Sequence, residues 1–275
     1  MEKKKIVVIT GNELRHIFFR KNIALDDNIQ VLKSYCESEG DSLKKVVESS
    51  DDNSSRMDHI AMRTQTEIDF FKSFCDKVVD LSNPSYIKKN EINSEPIVKE
   101  LMELNPDLII SYGCSIIREP LLSFFNGRFI NIHLGLSPYY RGSGTNFWPF
   151  VNNELEYVGV TYMYIDKGID TGEIIHQIRP RIYPNDNIHQ IGNRLIVDMS
   201  EVCIKLINQF DNLQKMPQIP FPKESVKYYK KTDFNEQSLA TMYENFKNDL
   251  ISNFLKSSNQ LTSQVSIINN PGIEL

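Results

Sequence analysis

Short apolar runs alternate with segments of helical periodicity up to about residue 182, and this alternation is the feature that most restricts the fold. The runs KIVVIT (5–10), DLIISYG (107–113) and RFINIHLG (128–135) have the length and residue types of strands. DLIISYG is almost entirely apolar, which is typical of a strand covered on both faces. The pattern predicts an α/β fold, with a Rossmann-like, open and mostly parallel sheet.

The segments between these runs predict the helices. Residues 58–74 and 97–104 carry apolar side chains at helical spacing, and so does the long stretch that starts near residue 188. Residues 48–56, ESSDDNSSR, are predicted to form a polar loop. Three side chains of the capping type stand before helical patterns and are predicted to cap them: Ser94, Thr145 and Asp186.

The composition changes after residue 210. Prolines at 217, 220 and 222 are followed by one predicted helical segment near 235–256 and by a polar tail. We therefore expect one α/β domain over residues 1–210 and a small C-terminal extension over residues 211–275, which is an appendage and not a second enzyme.

Charge and cysteine content exclude several classes of function. The formal net charge is −5, so no overall positive field recruits nucleic acid or anionic lipid. The four cysteines lie far apart in sequence, which argues against a zinc site or a disulfide framework and favours a reducing compartment. With no apolar run of membrane-spanning length, the sequence predicts a cytoplasmic protein and leaves a homodimer open.

Two groups of polar residues stand out against this framework. Asn131 and His133 are two apart in a predicted strand, so both side chains project to the same side near its carboxyl end, where open α/β sheets bind ligands. Asp170 lies between two glycines in GIDTG (168–172). Taken singly, Asn131 and His133 are better explained as satisfied polar groups at a strand edge, and Asp170 as an ordinary turn aspartate. Their ordered combination favours a functional site.

The ordered motifs also carry a resemblance to a known family. NIHLGLSPYYRG (131–142), then GVT (159–161) and GIDTG (168–172), resemble the formyltransferases that use 10-formyltetrahydrofolate. These include glycinamide ribonucleotide transformylase, methionyl-tRNA formyltransferase and the sugar N-formyltransferases. The likeness extends more loosely over about residues 95–200. One departure is Gly135, where many members have serine.

The resemblance implies a formyltransferase fold and a catalytic role for Asn131, His133 and Asp170. In formyl transfer an uncharged amine attacks the formyl carbon, and the carbonyl oxygen becomes an oxyanion. The amide of Asn131 and a protonated His133 would donate to that oxygen, and one such donor is typically worth about 3 kcal/mol. Asp170 would orient the imidazole and accept the proton that the amine loses. This chemistry needs neither a metal nor a covalent nucleophile.

The same resemblance implies where the folate donor binds. The pterin would lie between the loop after the DLIISYG strand and the loop that ends at Asp170, with backbone groups at its edge and apolar side chains on its faces. Ordinary core packing is the alternative for Ile116 and Ile117. The expected folate-binding residues are Tyr112, Gly113, Cys114, Ser115, Ile117, Tyr164, Asp166, Lys167, Gly168 and Ile169.

Four residues are expected to bind the amine acceptor. Gly11 and Asn12 open the first helix, whose N-terminus attracts phosphate, although a plain turn explains them equally well. Arg141 would supply a further donor. Trp148 is the only tryptophan; it would stack on a base or sugar, with burial in the core as the alternative.

The acceptor itself is predicted by elimination and by likeness. Residues 211–275 contain seven lysines, no arginine and seven acidic residues, and so offer no basic platform for tRNA. HLGLSPYYRGSGTNFWPF (133–150) looks most like enzymes of surface-polysaccharide biosynthesis that formylate nucleotide-linked 4-amino-4,6-dideoxy sugars, including those of the pseudaminic acid pathway. Glycinamide ribonucleotide, methionyl-tRNA, water (a formyltetrahydrofolate hydrolase) and a non-catalytic binding module remain as alternatives.

Overall fold

The computed structural model describes residues 2–38 and 54–274. The predicted polar loop at 48–56 lies outside the described residues except for its last three positions, which belong to a helix. A polar stretch can begin a helix when its side chains face solvent, which is why composition alone placed this helix start too late.

A seven-stranded sheet forms the centre of the described structure, and its strand order is β3-β2-β1-β4-β5-β7-β8. The strands from β3 to β5 are parallel, whereas β7 runs antiparallel to both β5 and β8. This confirms the predicted α/β fold with a mostly parallel sheet. The strands of the central sheet are β1 (Lys4–Thr10), β2 (Ile29–Glu37), β3 (Pro84–Ile87), β4 (Leu108–Tyr112), β5 (Phe129–His133), β7 (Val160–Tyr164) and β8 (Ile174–Ile178).

Helices cover both faces of this sheet. The α-helices of the described residues are α1 (Leu14–Ala24), α2 (Ser54–Glu67), α3 (Ser73–Lys77), α4 (Glu95–Leu104), α5 (Leu121–Phe124), α6 (Trp148–Val151), α7 (Ile188–Asn208), α8 (Glu236–Lys247) and α9 (Leu250–Ser263). A π-helical turn at Ile68–Lys72 joins α2 to α3.

Two of the predicted helix caps are wrong. Asn187, not Asp186, caps α7, because its side chain accepts from the backbone amides of His189 and Gln190. Asp186 instead accepts two hydrogen bonds from Arg194. Thr145 donates to the carbonyl of Leu134, and α6 begins three residues later at Trp148. In both cases a partner outside the first helical turn binds the side chain in place of the local backbone amides. Ser94 does stand at the N-cap position of α4, without a side-chain hydrogen bond.

Alternation along each strand divides the core between the two faces of the sheet. In β1, Ile6 and Val8 pack into a cluster with α1 and α7, whereas Val7 and Ile9 pack into a second cluster with α4 and α5. All four side chains are fully buried. This two-sided burial is why the strand reads as a continuous apolar run.

The C-terminal extension packs onto the sheet domain. Leu239, Met242, Leu250 and Ile273 belong to the same core cluster as the sheet residues. The expected single helix is two helices, α8 and α9, because Asp249 between them adopts a left-handed conformation, with φ of +60°. The predicted boundary at residue 210 stays a prediction.

The polar tail is also not as expected. Residues 264–274 return to the sheet, where the backbone amide of Ile268 donates to the side-chain oxygen of Gln177 on β8. Asn270 is buried, and its side-chain amide donates to backbone carbonyls of Ile175 and Gln214. The segment has a polar composition, but its backbone groups and the side chain of Asn270 make hydrogen bonds, which allows it to be buried.

A second, two-stranded sheet links the extension to the loop after β5. β9 (Lys227–Tyr229) pairs in parallel with β6 (Tyr140–Gly142), and the amide of Ser143 donates to the carbonyl of Tyr229 at 2.8 Å. β6 ends the NIHLGLSPYYRG stretch, so the extension braces the segment that follows Asn131 and His133 on β5.

Candidate active site

Asn131 and His133 lie on β5, and both line a cavity of about 540 Å³. β5 pairs with β4 on one side and with β7 on the other. Because β7 is antiparallel to β5, the loop that follows β7 starts beside residue 130 and folds back along β5. This fold-back brings Asp170 to the far end of β5, where His133 lies.

His133 and Asp170 form a buried pair. Nδ1 of His133 lies 3.2 Å from Oδ1 of Asp170, and the two side chains are 8% and 13% exposed. Nε2 of His133 is buried and makes no hydrogen bond within the described residues. The carboxylate therefore fixes the ring through one nitrogen and leaves the other nitrogen for a ligand in the cavity.

Asn131 is oriented by its neighbour on β4. The hydroxyl of Ser111 donates to Oδ1 of Asn131 at 3.0 Å, across the register pair that places these two residues side by side. With its oxygen engaged in this way, the asparagine presents its NH₂ group as a donor. Ser111 was not identified from the sequence, because a serine inside an apolar strand carries no signal until its pairing partner is known.

The loop that holds Asp170 favours its ionised form. Asp170 adopts a left-handed backbone conformation, with φ of +53°. Burial raises the pKa of its carboxyl group, but His133, the backbone amide of Gly142 and the charge of Arg141 together leave the pKa below its ordinary value. Gly142 lies 3.5 Å from Oδ2 of Asp170, so the β6 segment contributes directly to this balance.

Gly135 is required by close packing beside His133. A Cβ atom at position 135 would stand 2.6 Å from Nε2 of His133 and 2.7 Å from Oγ1 of Thr145. Thr145 is itself fixed by its hydrogen bond to the carbonyl of Leu134. A glycine at position 135 therefore matches the local geometry of this chain.

The two loops expected to hold folate line the same cavity. Nine of the ten expected residues belong to the lining: Tyr112, Gly113, Cys114, Ser115, Ile117, Tyr164, Asp166, Gly168 and Ile169. Lys167 is the exception, since its side chain is 82% exposed and pairs with Glu119 at 3.4 Å. Ile116 and Ile169 are exposed apolar side chains, whereas Ile117 packs in the core. The binding roles of these residues stay predictions.

Glu37, at the end of β2, anchors the first of these loops. Its side chain is fully buried and accepts from the backbone amide of Ser115 at 2.6 Å and from that of Asn90 at 3.1 Å. Lys89 lies 2.9 Å from the same carboxylate and balances its charge. A buried carboxylate with three donors holds backbone firmly, which suits a loop that must present fixed edge groups to a ligand.

Inside that loop, Cys114 is partly buried. Burial, followed by the charge of Glu37, raises the pKa of its thiol to about 12. The thiol is therefore protonated at neutral pH and serves as a small apolar wall, not as a nucleophile.

The four residues expected to bind the acceptor lie outside the lining of the main cavity. His16 fills the space beside Gly11, with its ring 2.7 Å from where a Cβ would stand. Trp148 is buried, and its ring stacks on that of Tyr229 with 4.0 Å between the centroids. This agrees with the alternative that Trp148 packs in the core. The acceptor-binding roles of Gly11, Asn12, Arg141 and Trp148 stay predictions.

Sequence reasoning missed one wall of the cavity. Arg15 on α1 and Arg63 on α2 both bond to Oε1 of Glu67, at 2.8 Å and 3.2 Å. Burial and then the repulsion of Arg63 lower the pKa of the Arg15 guanidinium. We call Arg15, Arg63 and Glu67 the arginine cluster. Arg63 and Glu67 are four residues apart on α2, whereas Arg15 lies on α1, so spacing in sequence gives no sign that Arg15 joins them.

Three buried histidines also face this cavity, although the sequence indicated no role for them: His16, His59 and His189. Burial is the main cause that lowers the pKa of His59 to about 4 and of His189 to about 3. His16 is shifted in the same direction, first by burial and then by Arg15. All three are neutral at pH 7 and act as polar lining.

Metal binding and membrane insertion receive no support from the described residues. Within residues 2–38 and 54–274, no group of three or more His, Cys, Asp or Glu side chains is arranged to hold a metal ion. None of the helices in this part of the chain combines the length and apolar character needed to cross a bilayer.

The fold and the Asn131–His133–Asp170 cavity define an α/β protein with a polar site at the end of its central strands. The chain belongs to the formyl transferase family, whose sequence model matches residues 36–207. This match contains the strands β4, β5 and β7 and all three residues of the polar site.

Among curated relatives, methionyl-tRNA formyltransferase of Desulforamulus reducens is 33% identical over 144 residues, which cover 52% of this chain and 43% of that protein. The corresponding enzyme of Blochmanniella pennsylvanica is 31% identical over 160 residues, covering 55% of this chain and 48% of the relative. The chain therefore matches less than half the length of these relatives.

Solved structures show the same fold at low sequence identity. Phosphoribosylglycinamide formyltransferase of Anaplasma phagocytophilum has a TM-score of 0.55 at 16% identity, covering 82% of this chain and 99% of the other. A sugar N-formyltransferase from a Shewanella species has a TM-score of 0.53 at 19% identity, covering 84% and 79%. At such identities the likeness defines the fold and leaves the acceptor open.

Proposed function

We propose that the chain is an N-formyltransferase that moves a formyl group from 10-formyltetrahydrofolate to the amine of a nucleotide-linked amino sugar. The observation that carries the proposal is the placement of Asn131, His133 and Asp170 on one cavity, with Asp170 bonded to Nδ1 of His133 and Nε2 left without a partner in the described residues. Membership of the formyl transferase family supports the reaction class.

In the proposed reaction the free amine attacks the formyl carbon of the donor. A carbon–nitrogen bond forms, and the carbonyl electrons move to oxygen. The NH₂ of Asn131 and the protonated Nε2 of His133 donate to this oxyanion, each worth about 3 kcal/mol of barrier. The hydroxyl of Ser111 donates to Oδ1 of Asn131 at 3.0 Å, so the NH₂ group already points the right way before the substrate binds.

The proton balance is completed by Asp170. The attacking nitrogen loses a proton to the Asp170 carboxylate, directly or through a water, and the intermediate then collapses with cleavage of the bond to the folate nitrogen. That nitrogen receives a proton from the same network, so the products are a formamide and tetrahydrofolate. The lowered pKa of Asp170 keeps it ionised and ready to accept at neutral pH.

In this proposal the donor binds between the loops 112–117 and 164–170. Nine of the ten residues expected for this role line the cavity, and Glu37 holds the first loop by its backbone. The exposed side chains of Ile116 and Ile169 provide apolar surface at the two loops. We propose that they cover the pterin faces while backbone groups read its edge.

The proposed acceptor is a 4-amino-4,6-dideoxy sugar linked to UDP or dTDP, as used for surface glycans such as those containing pseudaminic acid. The net charge of −5 and the equal numbers of basic and acidic residues after position 210 disfavour a polyanionic tRNA. Methionyl-tRNA is the second candidate, because the chain is similar to methionyl-tRNA formyltransferases, at 33% identity to two of them. Residues 1–210 are the proposed catalytic unit.

The test measures release of tetrahydrofolate from 10-formyltetrahydrofolate in the presence of single amines. The panel contains UDP- and dTDP-linked 4-amino-4,6-dideoxy sugars, glycinamide ribonucleotide and methionyl-tRNA, with His133→Ala as the matched inactive control. Release that depends on a sugar nucleotide and on His133 is the expected result. Release with glycinamide ribonucleotide or methionyl-tRNA alone would overturn the sugar acceptor and leave formyl transfer standing, whereas release without any amine would indicate a hydrolase.

A further inference from the structure

A second, smaller cavity opens beside the main one. It has a volume of about 110 Å³, and we call it the side cavity. Four residues line both cavities, so the two are neighbours: His59, Arg63, Gly144 and Phe147. The remaining lining residues of the side cavity are Ile60, Ser143, Trp148, Lys230 and Phe234.

The side cavity carries an excess of positive charge. Arg63 and Lys230 are its two cations, and its lining in the described residues includes no carboxylate. His59 is neutral at pH 7 because burial lowers its pKa to about 4. Glu67 lies outside this lining and offsets part of the charge of Arg63. The two cations still give the concave surface a net positive charge, which attracts phosphate groups.

The side chains of both cations have free donor groups. Arg63 uses Nε to bond Glu67 at 3.2 Å, and its two terminal nitrogens make no hydrogen bond within residues 2–38 and 54–274. Glu67 is already shared with Arg15. In the same part of the chain, the ammonium group of Lys230 takes part in no ion pair, and the residue is exposed. Because Glu67 holds the Nε edge of the Arg63 guanidinium, the two terminal nitrogens of Arg63 can donate together to a phosphate.

Aromatic rings form the apolar walls of the side cavity. Phe147 and Phe234 meet edge to face at 5.1 Å, and both rings are close to that of His59. Trp148 is held at the back by stacking on Tyr229 and by the bond from its indole nitrogen to the carbonyl of Ser143. A flat heterocycle packs well against such rings.

The position of the side cavity distinguishes it from the folate site. The loops 112–117 and 164–170 line the main cavity and contribute nothing to the side cavity. An acceptor whose amine reaches His133 must extend away from the donor. The side cavity, which begins at Gly144 and Phe147 shortly after β5, offers that extension.

We propose that the side cavity is the binding site for the nucleoside diphosphate part of the acceptor. Arg63 and Lys230 bind the phosphates, and Phe147 and Phe234 pack against the base. This assignment rests on the proposed sugar-nucleotide acceptor, and it transfers the phosphate-binding role from Gly11 and Asn12 to Arg63 on α2 and Lys230 in the C-terminal extension. Neither α2 nor the extension is then a passive addition to the catalytic unit.

The binding test uses UDP, dTDP, uridine and inorganic pyrophosphate as probes, with no folate present, and measures dissociation constants by calorimetry. Arg63→Gln and Lys230→Gln are each expected to weaken UDP or dTDP binding about tenfold, because each removes a charge-assisted contact to phosphate. Lys223→Gln, at an exposed lysine of the same extension outside the lining, is the matched control and keeps wild-type affinity. Retained tetrahydrofolate binding shows that each variant is folded.

A second variant separates the base from the phosphates. Phe234→Leu is expected to weaken UDP binding several-fold while leaving pyrophosphate binding unchanged. The inference is overturned if neither UDP nor dTDP binds at millimolar concentration, or if binding is the same in Arg63→Gln, Lys230→Gln and wild type.

The same measurements distinguish failure of this inference from failure of the proposed function. UDP binding that depends on Arg63, in a protein that formylates no sugar nucleotide, retains the nucleotide site and rejects the acceptor. Formylation of a sugar nucleotide with an unchanged KM in Arg63→Gln and Lys230→Gln retains the acceptor and rejects the site.

Discussion

Nδ1 of His133 lies 3.2 Å from Oδ1 of Asp170, although the two residues belong to separate motifs joined by β6, α6 and β7. The contact exists because the loop after the antiparallel strand β7 folds back along β5. Each residue alone has an ordinary local explanation, but the contact joins them. The carboxylate of Asp170 orients the His133 ring, whose Nε2 has no hydrogen-bond partner among the described residues.

Substitution of Asn131 or His133 should lower turnover by orders of magnitude and leave the fold intact. Asn131→Ala and His133→Ala are each expected to lower kcat by about 10²–10³, because each removes a donor to the oxyanion. The measurement is steady-state release of tetrahydrofolate, with circular dichroism as the check on folding. Near wild-type turnover in His133→Ala would contradict the mechanism proposed for this site.

The charge of Asp170 should also contribute to stability in a defined range of pH. Its pKa in the folded protein is below the ordinary value of 3.8, so its stabilising charge is fully present above about pH 4 and is lost as the pH falls through the lowered pKa. Asp170→Asn should therefore unfold more easily in urea than wild type at pH 7, with a smaller difference at pH 3. A difference that stays constant between these pH values would show that the Asp170 charge is not involved.

Gly135 should not tolerate substitution by serine. A side chain there meets Nε2 of His133 and Oγ1 of Thr145 at under 3 Å. Gly135→Ser is expected to destabilise the protein by about 1–3 kcal/mol and to lower kcat, because His133 must move. Gly192→Ala is the control for stability, since its Cβ meets nothing within 4 Å and the residue lies inside helix α7. Unchanged stability and turnover in Gly135→Ser would contradict the packing described here.

Cys114 tests the proposed folate loop. Cys114→Phe is expected to raise the KM for 10-formyltetrahydrofolate more than the KM for the acceptor, because the new ring would occupy the cavity between the two loops. Cys114→Ser keeps the small size and should stay close to wild type. If Cys114→Phe changes both KM values equally, or neither, the pterin binds elsewhere.

The sequence predicts those parts of the site that follow from local periodicity. Asn131 and His133 share a side because strand residues alternate, and the apolar run of DLIISYG places β4 inside the sheet, where it proves to be fully buried. The fold class follows from the same alternation. These inferences need only neighbours in sequence, which is why they agree with the structure.

The parts that depend on distant residues could not be predicted in this way. Asp186 and Thr145 have the chemistry of caps, but Arg194 and the carbonyl of Leu134 bind them in other roles. The arginine cluster joins α1 to α2, and its residues are ordinary surface charges in sequence. Arg15 reaches Glu67 only because α1 lies beside α2 in the fold. The position of one helix beside another produces no periodic pattern in the sequence.

Gly142 should connect the C-terminal extension to the catalytic unit. It adopts φ of +93°, and a Cβ there would collide with the backbone carbonyl of Tyr229 on β9. The neighbouring amide of Ser143 donates to that same carbonyl, and the amide of Gly142 itself lies 3.5 Å from Asp170. A side chain at position 142 must therefore displace either β9 or the segment that borders Asp170.

Gly142→Ala is accordingly expected to lower both the melting temperature and kcat, by strain of about 1–2 kcal/mol from the left-handed backbone and by a further loss from the collision. Gly144→Ala is the matched variant, because it has a similar backbone conformation, with φ of +68°, but its Cβ would make only an ordinary contact with Trp148 at 3.6 Å. The difference between the two melting temperatures isolates the contact with β9. Equal melting temperatures, with kcat unchanged in Gly142→Ala, would show that the extension does not position the loop beside Asp170.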